Sequence, residues 1–442
     1  MKKTRYHFIG ICGISMSALA IYLKKQGYYV QGSDISENNL KSKLQKMDIP
    51  VFKNHKKENV TNIDVVVYNF AIKKTNEEYI EAKKQNLKLI SRAELLKQIS
   101  LEYKNVIAIS GSHGKTSTTK MIYNCLCCAN LKPTLHVGGV VEDGIGLIVG
   151  EKDFFVTEAC EYHDSFLFLN PTIGVILNVE KEHLDYFKSY KNQKESFVKF
   201  AKNSKKVVCF DGKIIKEQII LTFGKKSSNI VAKNITIKNG KYCFDCYINN
   251  SFFETITLGA YGKYNITNAL AVIGVCYLLN ISKESIQCGL KMDLNISRRF
   301  ETVKSDNGKV VIHDYAHHPT EIKNTLKTFE SVCKNDKKLV VFQPHTYSRT
   351  KTLFEDFVKC LQQIEDLLII KTYPAREKYD KTATGFALYK ALKYRVNNVS
   401  YCASFDKAKK HILKYFKQGY NVILLGAGDI ENLVNDIKNT PL

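Results

Sequence analysis

The residues best suited to chemistry lie in one short stretch, residues 109–118, which reads Ile-Ser-Gly-Ser-His-Gly-Lys-Thr-Ser-Thr. An apolar run at 106–109 predicts a buried strand before it, and the pattern at 118–128 predicts a helix after it. Between such elements, glycines let backbone N–H groups point at an anion, a lysine adds positive charge and a threonine hydroxyl can bind Mg²⁺. We therefore expect this phosphate loop to bind ATP through Gly111, Ser112, His113, Gly114, Lys115, Thr116 and Ser117.

The phosphate loop is shorter than the common pattern G-x-x-x-x-G-K-[ST], because Ile109 stands where that pattern has its first glycine. The alternative is a glycine turn that caps a helix and leaves Lys115 exposed. The spacing Gly-x-x-Gly-Lys-Thr directly after an apolar strand favours phosphate binding.

A second candidate, the first turn (residues 10–15), follows a predicted strand at 6–9 and precedes a helix. Gly10, Gly13 and Ser15 are expected to bind a nucleotide diphosphate at the helix start, although Cys12 and Ser15 replace two glycines of the dinucleotide fingerprint. Asp34 ends the second strand about twenty residues after the turn. It either holds a ribose hydroxyl or caps the next helix together with Ser36.

Two acidic motifs come directly after predicted strands of the central region. Glu161 follows the strand at 154–157, and His183 follows the strand at 172–179. Ligands of open α/β sheets bind at the carboxyl ends of strands, so both residues are candidates for an Mg²⁺ site. Because Mg²⁺ prefers oxygen ligands, a structural or general acid–base role for His183 stays open.

Two asparagines at a predicted helix start, Asn265 and Asn268, lie one turn apart. They either contact an adenine edge or cap the helix. Between them and the preceding strands, residues 207–258 carry short β patterns, which predict a small sheet inserted in or attached to the central domain.

The last third of the chain has four predicted strands, at 310–313, 339–342, 367–372 and 422–425. Each is followed by a polar cluster, at 314–321, 343–350, 373–377 and 426–429. Because strand ends of a parallel sheet meet at one edge, these clusters predict one functional rim. Each cluster taken alone is also explained by a turn or a helix cap.

The composition limits the class of protein. A chain of 442 residues with 44% hydrophobic content should form two to four globular domains. Its net charge of +23 comes from lysines scattered along the whole chain, which indicates a solvated surface and not a nucleic-acid partner. There is no run of about 18 apolar residues, so we expect no membrane span and a cytoplasmic location.

The thirteen cysteines are dispersed, and the chain begins directly with a basic segment and an apolar strand. We therefore expect reduced thiols. The one C-x-x-C pair, Cys243 with Cys246, lies in a strand-like run where the two side chains point to opposite faces, which argues against a zinc site.

Six motifs in chain order resemble those of the Mur ligase family, over nearly the whole chain. They are Gly-Ser-His-Gly-Lys-Thr, Glu-Ala-Cys-Glu, Asn-Val-Glu-Lys-Glu-His, Arg-Arg-Phe, Asp-Tyr-Ala-His-His-Pro-Thr-Glu and Gln-Pro-His-Thr-Tyr-Ser-Arg-Thr. The resemblance implies a three-domain α/β fold in which each domain has a largely parallel, doubly wound sheet. The implied domains are a Rossmann-like UDP-substrate domain at 1–98, a phosphate-loop ATPase domain at 99–296 and a Rossmann-like C-terminal domain at 297–442.

The reaction that the resemblance implies is ATP-dependent amide formation between L-alanine and the lactoyl carboxylate of UDP-N-acetylmuramate, through an acyl phosphate. The expected cofactors are ATP and Mg²⁺, and the expected assembly is a monomer or homodimer. The alternative within the family adds a preformed murein peptide to the same nucleotide. A folylpolyglutamate-type synthetase and a non-catalytic nucleotide sensor are more distant alternatives.

By the same resemblance, Lys115 holds the β- and γ-phosphates, and Asn265 and Asn268 contact adenine. Thr116 and Glu161 bind Mg²⁺, and His183 binds a second Mg²⁺ near the acyl phosphate. The resemblance also places Arg299 near the γ-phosphate. It places four further residues near L-alanine and the muramoyl carboxylate, namely Asp314, His318, His345 and Arg349. The expected catalytic residues are Lys115, Glu161, His183, Arg299, His318, His345 and Arg349.

Several positions depart from the family pattern. The first turn lacks two of its usual glycines, Cys160 replaces an aspartate, Tyr264 replaces a histidine, and Thr346 replaces an arginine. None of these changes removes Lys115 or an expected metal ligand, so the sequence predicts an active enzyme.

Overall fold

A computed structural model describes residues 3–36, 38–141, 144–211, 219–238, 241–294, 296–334, 336–375 and 377–441. Arg376, in the third polar cluster, lies outside the described residues. The chain forms two compact units. The first comprises Met1–Thr236, Cys243–Ala260 and Asn265–Ile296, and the second comprises Ile237–Tyr242, Tyr261–Tyr264 and Ser297–Leu442.

The first unit begins with a five-stranded parallel sheet of order β3-β2-β1-β4-β5. Its strands are β1 (Arg5–Ile9), β2 (Tyr29–Ser33), β3 (Val51–Phe52), β4 (Val65–Tyr68) and β5 (Lys88–Ser91). Its helices are α1 (Ile14–Lys25), α2 (Asn39–Lys46), α3 (Glu77–Lys84) and α4 (Arg92–Ser100). The central strands are apolar on both faces because helices cover both sides, as in other parallel sheets.

The second sheet has ten strands in the order β15-β14-β13-β12-β11-β10-β6-β9-β7-β8. They are β6 (Asn105–Ser110), β7 (Thr134–His136), β8 (Leu147–Ile148), β9 (Phe154–Glu158), β10 (Ile173–Ile176), β11 (Lys206–Phe210), β12 (Ile219–Phe223), β13 (Ile230–Lys238), β14 (Lys241–Ile248) and β15 (Ser251–Tyr261). The accompanying helices are α5 (Lys115–Cys128), α6 (Leu184–Phe187), α7 (Tyr190–Lys202), α8 (Tyr264–Leu278) and α9 (Lys283–Lys291).

The strands at 207–258 are attached to the central domain as the sequence predicted, but they do not form a sheet of their own. Strand β11 pairs in parallel with β10, so the central sheet continues into these strands. Within β14, Cys246 is buried and Cys243 is half-buried, in agreement with opposite faces of one strand.

The third sheet, in the second unit, has the order β16-β17-β21-β18-β19-β20, and only β16 is antiparallel. Its strands are β16 (Glu301–Asp306), β17 (Lys309–Asp314), β18 (Lys338–Phe342), β19 (Asp366–Ile370), β20 (Asn398–Cys402) and β21 (Asn421–Leu425). Its helices are α10 (Pro319–Cys333), α11 (Tyr347–Thr352), α12 (Phe354–Leu361), α13 (Gly385–Leu392), α14 (Phe405–Lys417) and α15 (Ile430–Lys438). The four predicted strands are neighbours, so their polar clusters follow the same edge of the sheet.

The predicted fold class is confirmed, because the chain contains three largely parallel α/β sheets. The domain bounds inferred from the resemblance stay a prediction. Among the described residues, no helix combines the length and the apolar character that a membrane crossing requires.

The expectation of thirteen reduced thiols is wrong for one pair. A disulfide joins Cys128, at the end of α5, to Cys288 in α9, with 6.2 Å between their Cα atoms. The two helices come this close because Gly289 has no side chain where α9 meets the backbone of Cys125. The two cysteines are 160 positions apart in the chain, so no local sequence pattern indicated this contact.

Candidate active site

The phosphate loop connects the end of β6 to the start of α5, as the sequence predicted. Gly114 has φ = 85°, a left-handed conformation that favours glycine. A Cβ atom at Gly114 would lie 2.6 Å from Oδ1 of Asn268, so the neighbouring helix also requires a glycine there. Gly111, with φ = 139°, similarly lies against the backbone of Asn178.

Hydrogen bonds fix the phosphate loop to the segment that follows β10. The His113 N–H donates to Oδ1 of Asn178 at 2.9 Å, and Nδ2 of Asn178 donates back to the His113 carbonyl at 3.0 Å. The Glu180 N–H donates to Oγ of Ser112 at 2.9 Å. These contacts hold the loop's backbone in place before any ligand binds, which is the preorganisation that phosphate recognition needs.

Lys115 is the first residue of α5, and its ammonium group lies 3.2 Å from Oε2 of Glu161. Nζ also donates to the carbonyls of Gly111 and Ser112. Burial, the largest single effect, would lower the pKa of Lys115, but the negative charge of Glu161 and those of its acidic neighbours together raise it. Lys115 is therefore a fully charged cation at the centre of the loop at neutral pH.

Three side chains at the carboxyl edge of the central sheet could hold a metal ion. The ligand atoms of Glu161, Glu182 and His183 lie within 4.8 Å of one another. Two carboxylates suit Mg²⁺, and the imidazole is a less usual partner for this ion. Thr116 is buried at the start of α5 and is not part of this group of three. The donor set thus fits a divalent cation with mainly oxygen ligands.

The two asparagines lie at the beginning of α8, and both are buried. Nδ2 of Asn268 donates to Oδ1 of Asn265 at 2.8 Å, and Asn268 packs against Gly114. The pair is therefore part of the surroundings of the phosphate loop. Whether it contacts adenine stays a prediction.

In the first turn, Gly10 has φ = 80°, and its N–H donates to the carbonyl of Ser33 at 2.8 Å. Asp34 accepts hydrogen bonds from the Cys12 N–H and the Ser36 N–H, each at 2.8 Å. The helix that follows is capped by Asn38 instead, so the proposed capping role of Asp34 is wrong. The contact of Asp34 with a ribose hydroxyl stays a prediction. Its hydrogen bonds to Cys12 and Ser36 hold the first turn in place.

The second unit contains the predicted rim. Asp314, at the end of β17, accepts hydrogen bonds from the backbone N–H groups of Phe300 and Ala316 and from the hydroxyl of Thr325. Burial raises the pKa of Asp314, although the charge of Arg299 opposes this. Because three donors already surround the carboxylate, its evident role is to hold the rim together.

Arg299 is packed beside the carboxylates of Asp314 and Glu321. Burial would lower its pKa, but these two charges raise it. His318 is the N-cap of α10, and its side chain accepts a hydrogen bond from the Thr320 N–H. Arg299 is thus a charged group at the rim, whereas His318 also has a structural use.

His345 and Arg349 are in direct contact at the end of β18. Nη1 of Arg349 donates to Nδ1 of His345 at 3.0 Å and to its carbonyl at 2.8 Å. Burial, together with Arg349, lowers the pKa of His345 to about 4. The ring is therefore neutral at pH 7 with its proton on Nε2, so it can donate a hydrogen bond to a ligand there.

The sequence prediction missed several residues that share these sites. His317 has its ring 5.7 Å from that of His345, and Glu377 accepts a hydrogen bond from Thr346 at 2.6 Å. His317 and Glu377 lie in the polar clusters, and Glu182 lies in the motif that contains His183. The sequence therefore showed where these residues are, but it did not show which residues they contact. Arg92 and His136, which contact Ser15, had no sequence signal.

Profiles of one protein family match the chain in three consecutive parts. The profile described as Mur ligase family, catalytic domain, matches residues 5–104, and the Mur ligase middle domain matches residues 109–276. The Mur ligase, glutamate ligase domain, matches residues 298–428.

Curated relatives are similar over nearly their whole length. The UDP-N-acetylmuramate–L-alanine ligase of Caldicellulosiruptor bescii is 42% identical over 446 residues, which cover 98% of each chain. The ligase of the same name from Clostridium tetani is 42% identical over 438 residues, which cover 96% of each chain.

Solved structures agree with this similarity. UDP-N-acetylmuramate-alanine ligase MurC from Thermotoga maritima superposes with a TM-score of 0.86 at 27% identity, over 98% of each chain. A murein peptide ligase from Psychrobacter arcticus has a TM-score of 0.72 at 21% identity, a likeness of fold alone. From the three consecutive profile matches and the near-complete relatives, the chain belongs to the Mur ligase family.

Proposed function

We propose that this protein joins L-alanine to the lactoyl carboxylate of UDP-N-acetylmuramate at the expense of ATP, the first peptide step of peptidoglycan precursor synthesis. The observation that carries the proposal is the charged Lys115 beside Glu161, in a loop built for phosphate. Relatives that bear this activity in their name, at 42% identity over almost the full chain, supply the substrate class.

In the proposed reaction, a carboxylate oxygen of the lactoyl group attacks the γ-phosphorus of ATP, and ADP leaves. The amine of L-alanine then attacks the carbonyl carbon of the acyl phosphate, loses a proton and expels inorganic phosphate. Both steps depend on positioning and charge neutralisation more than on covalent help from the protein. Lys115 is suited to neutralise the β- and γ-phosphate oxygens.

The proposed cofactor set is ATP with Mg²⁺. Glu161 and His183, with Glu182 added by the structure, would hold the ion, and Thr116 would supply a hydroxyl from the start of α5. When bound, the ion would neutralise charge on the phosphoryl oxygens. Lys115 lies beside the same carboxylate, with Nζ 3.2 Å from Oε2 of Glu161.

The second unit is proposed to bind L-alanine and the muramoyl carboxylate. Arg299 and Arg349 offer positive charge for carboxylate groups, and neutral His345 offers an N–H donor on Nε2. Asp314 and His318 would position these groups through the bonds described above. An enzyme that consumes ATP and a UDP-linked sugar works where these nucleotides are made, so the proposal places it in the cytoplasm.

The proposal is tested by phosphate release from purified protein with ATP, Mg²⁺ and UDP-N-acetylmuramate, with and without L-alanine. A parallel reaction contains a murein tripeptide in place of L-alanine. We expect release that requires L-alanine, together with a UDP-linked product whose mass is larger by one alanine residue. Release only with the tripeptide would move the protein to the peptide-adding branch.

A further inference from the structure

A chain of hydrogen bonds connects the first turn to the central sheet. Oγ of Ser15 lies 3.1 Å from Nε2 of His136, and Nδ1 of His136 lies 2.9 Å from Oγ1 of Thr157. Nη1 of Arg92 donates to Oγ of Ser15 at 3.2 Å. These residues come from α1, β7, β9 and α4, and all belong to the first unit.

The direction of each hydrogen bond in this chain can be assigned. The Thr157 hydroxyl donates to the carbonyl of Glu158, so it accepts from Nδ1–H of His136. Burial lowers the pKa of His136 to about 3, so the ring is neutral and Nε2 carries no proton. Nε2 must then accept from the Ser15 hydroxyl. The single hydroxyl proton of Ser15 is therefore used in the hydrogen bond to His136, and Ser15 cannot donate to a ligand.

Arg92 is a half-buried cation whose guanidinium group makes one side-chain hydrogen bond among the described residues. Its guanidinium group has five N–H bonds, and Ser15 takes one of them. Among the residues that the structure describes, no carboxylate oxygen lies within 4.0 Å of this group. Burial lowers the pKa of Arg92, while Glu158 and Cys160 are the neighbours that oppose this. A half-buried guanidinium group with N–H bonds that the protein does not use can pair with the oxygens of a bound anion.

The start of α1 is also open to an anion. Its N-cap is Gly13, which makes no side-chain capping hydrogen bond. The first helical turn of α1, all of whose residues are described, contains no acidic residue. The contrast is with α4, whose start is already closed by a capping box of Ser91 and Glu94. Uncapped N–H groups and the helix dipole attract negative charge to the end of α1 where Ser15 lies.

We propose that Arg92 is a substrate-binding residue that holds the diphosphate of the uridine nucleotide at the start of α1. Ser15, His136 and Thr157 are positioning residues that fix its guanidinium group. This deepens the proposed function and depends on it for the identity of the nucleotide. Guanidinium is the group that pairs with phosphate oxygens through two parallel N–H bonds, and the first turn itself contains no cation to do so.

The test is equilibrium binding of UDP by calorimetry, with a non-hydrolysable ATP analogue occupying the phosphate loop. Arg92→Gln should raise the dissociation constant of UDP about tenfold to a hundredfold, because it removes hydrogen bonds to a charged group. Uridine, which has no phosphate, should bind wild type and variant alike. The matched control is Lys97→Gln, which removes one charge from the last turn of the same helix and should leave UDP binding unchanged.

Two further variants separate binding from folding. Arg92→Lys keeps the charge and should recover part of the affinity, and His136→Gln should weaken UDP binding about threefold by freeing Arg92 and Ser15. Each variant is first checked for a cooperative thermal unfolding transition that lies well above the temperature of the titration. UDP affinity that is equal in folded Arg92→Gln and wild type overturns the proposal.

A loss confined to UDP-N-acetylmuramate, with UDP unaffected, would also overturn it, since the anion at Arg92 would then be the lactoyl carboxylate. Failure of the proposed function looks different. In that case, the wild type forms no alanine adduct, whereas the UDP titrations, which need no turnover, still report on Arg92.

Discussion

The first turn and the phosphate loop have the same local design and differ in the source of their positive charge. Each follows a strand inside a parallel sheet, precedes a helix, and contains a glycine with positive φ, 80° at Gly10 and 85° at Gly114. The phosphate loop carries its own cation, Lys115. The first turn has none, and the nearest described cation at Ser15 is Arg92, 77 positions further along the chain. The cation of the phosphate loop could therefore be identified from the sequence, whereas the cation beside Ser15 could not, because it comes from a distant helix.

The largest effect is expected from removing the local cation. Lys115→Ala should lower ATP turnover at saturating substrate at least a hundredfold, because a charge that stabilises the transferred phosphoryl group is lost. UDP binding should be unchanged, since the first turn does not use Lys115. Coupled phosphate-release kinetics and UDP calorimetry on the same preparation measure both. Near-normal ATP turnover in Lys115→Ala would contradict the assignment of Lys115 as the cation of the phosphate loop.

The two glycines give a matched pair of substitutions. Gly114→Ala combines positive φ with a Cβ atom 2.6 Å from Asn268, whereas Gly10→Ala places its Cβ 3.5 Å from the nearest atom, Nδ2 of Asn69. We expect ATP turnover to fall about tenfold or more in Gly114→Ala. Gly10→Ala should cost only the backbone strain, on the order of 1 kcal/mol of unfolding free energy. Equal effects in kinetics and thermal melts would contradict this difference.

Metal dependence should belong to the phosphate loop alone. His183→Ala should raise the Mg²⁺ concentration that half-saturates turnover several-fold, because one of three clustered ligands is lost while Glu161 and Glu182 remain. UDP affinity, measured without Mg²⁺, should stay at the wild-type value. An unchanged magnesium titration would return His183 to a structural role.

The smallest effect concerns pH and arises at the first turn, where Ser15 is hydrogen-bonded to the buried imidazole of His136. The pKa of His136 is lowered to about 3 in the folded state from 6.5, so below pH 6.5 the unfolded chain binds a proton that the folded protein does not. Stability from this group therefore falls as the pH falls from 6.5 towards 3. His136→Gln, less stable than wild type at pH 7 by about 1–2 kcal/mol, should lose less stability on acidification.

Thermal melts of both proteins between pH 7 and pH 4 check this. The gap between their midpoints should narrow at acid pH. Parallel curves would mean that His136 is not kept neutral by the fold, and the assigned direction of the Ser15 hydrogen bond would lose its basis.

Much of this architecture could be predicted because it depends on short-range patterns. Apolar runs such as Val106 to Ile109 are buried strands wherever helices cover both faces, and the strands around the phosphate loop were predicted to within a few residues. The rim was predictable for the same reason, since parallel strands place their carboxyl ends on one edge. The short strands β7 and β8 and the edge strand β20 were missed, because their sequences have no strong apolar pattern.

The amino-acid sequence alone determined the family, the three α/β sheets and the phosphate loop with its lysine, because each depends on residues that are close together in the chain. Only the tertiary structure decided that Glu182 joins Glu161 and His183, that Cys128 meets Cys288, and that Arg92 and His136 serve Ser15. These contacts join residues far apart in the chain. Their energies come from the burial and charge of partners that no local spacing encodes.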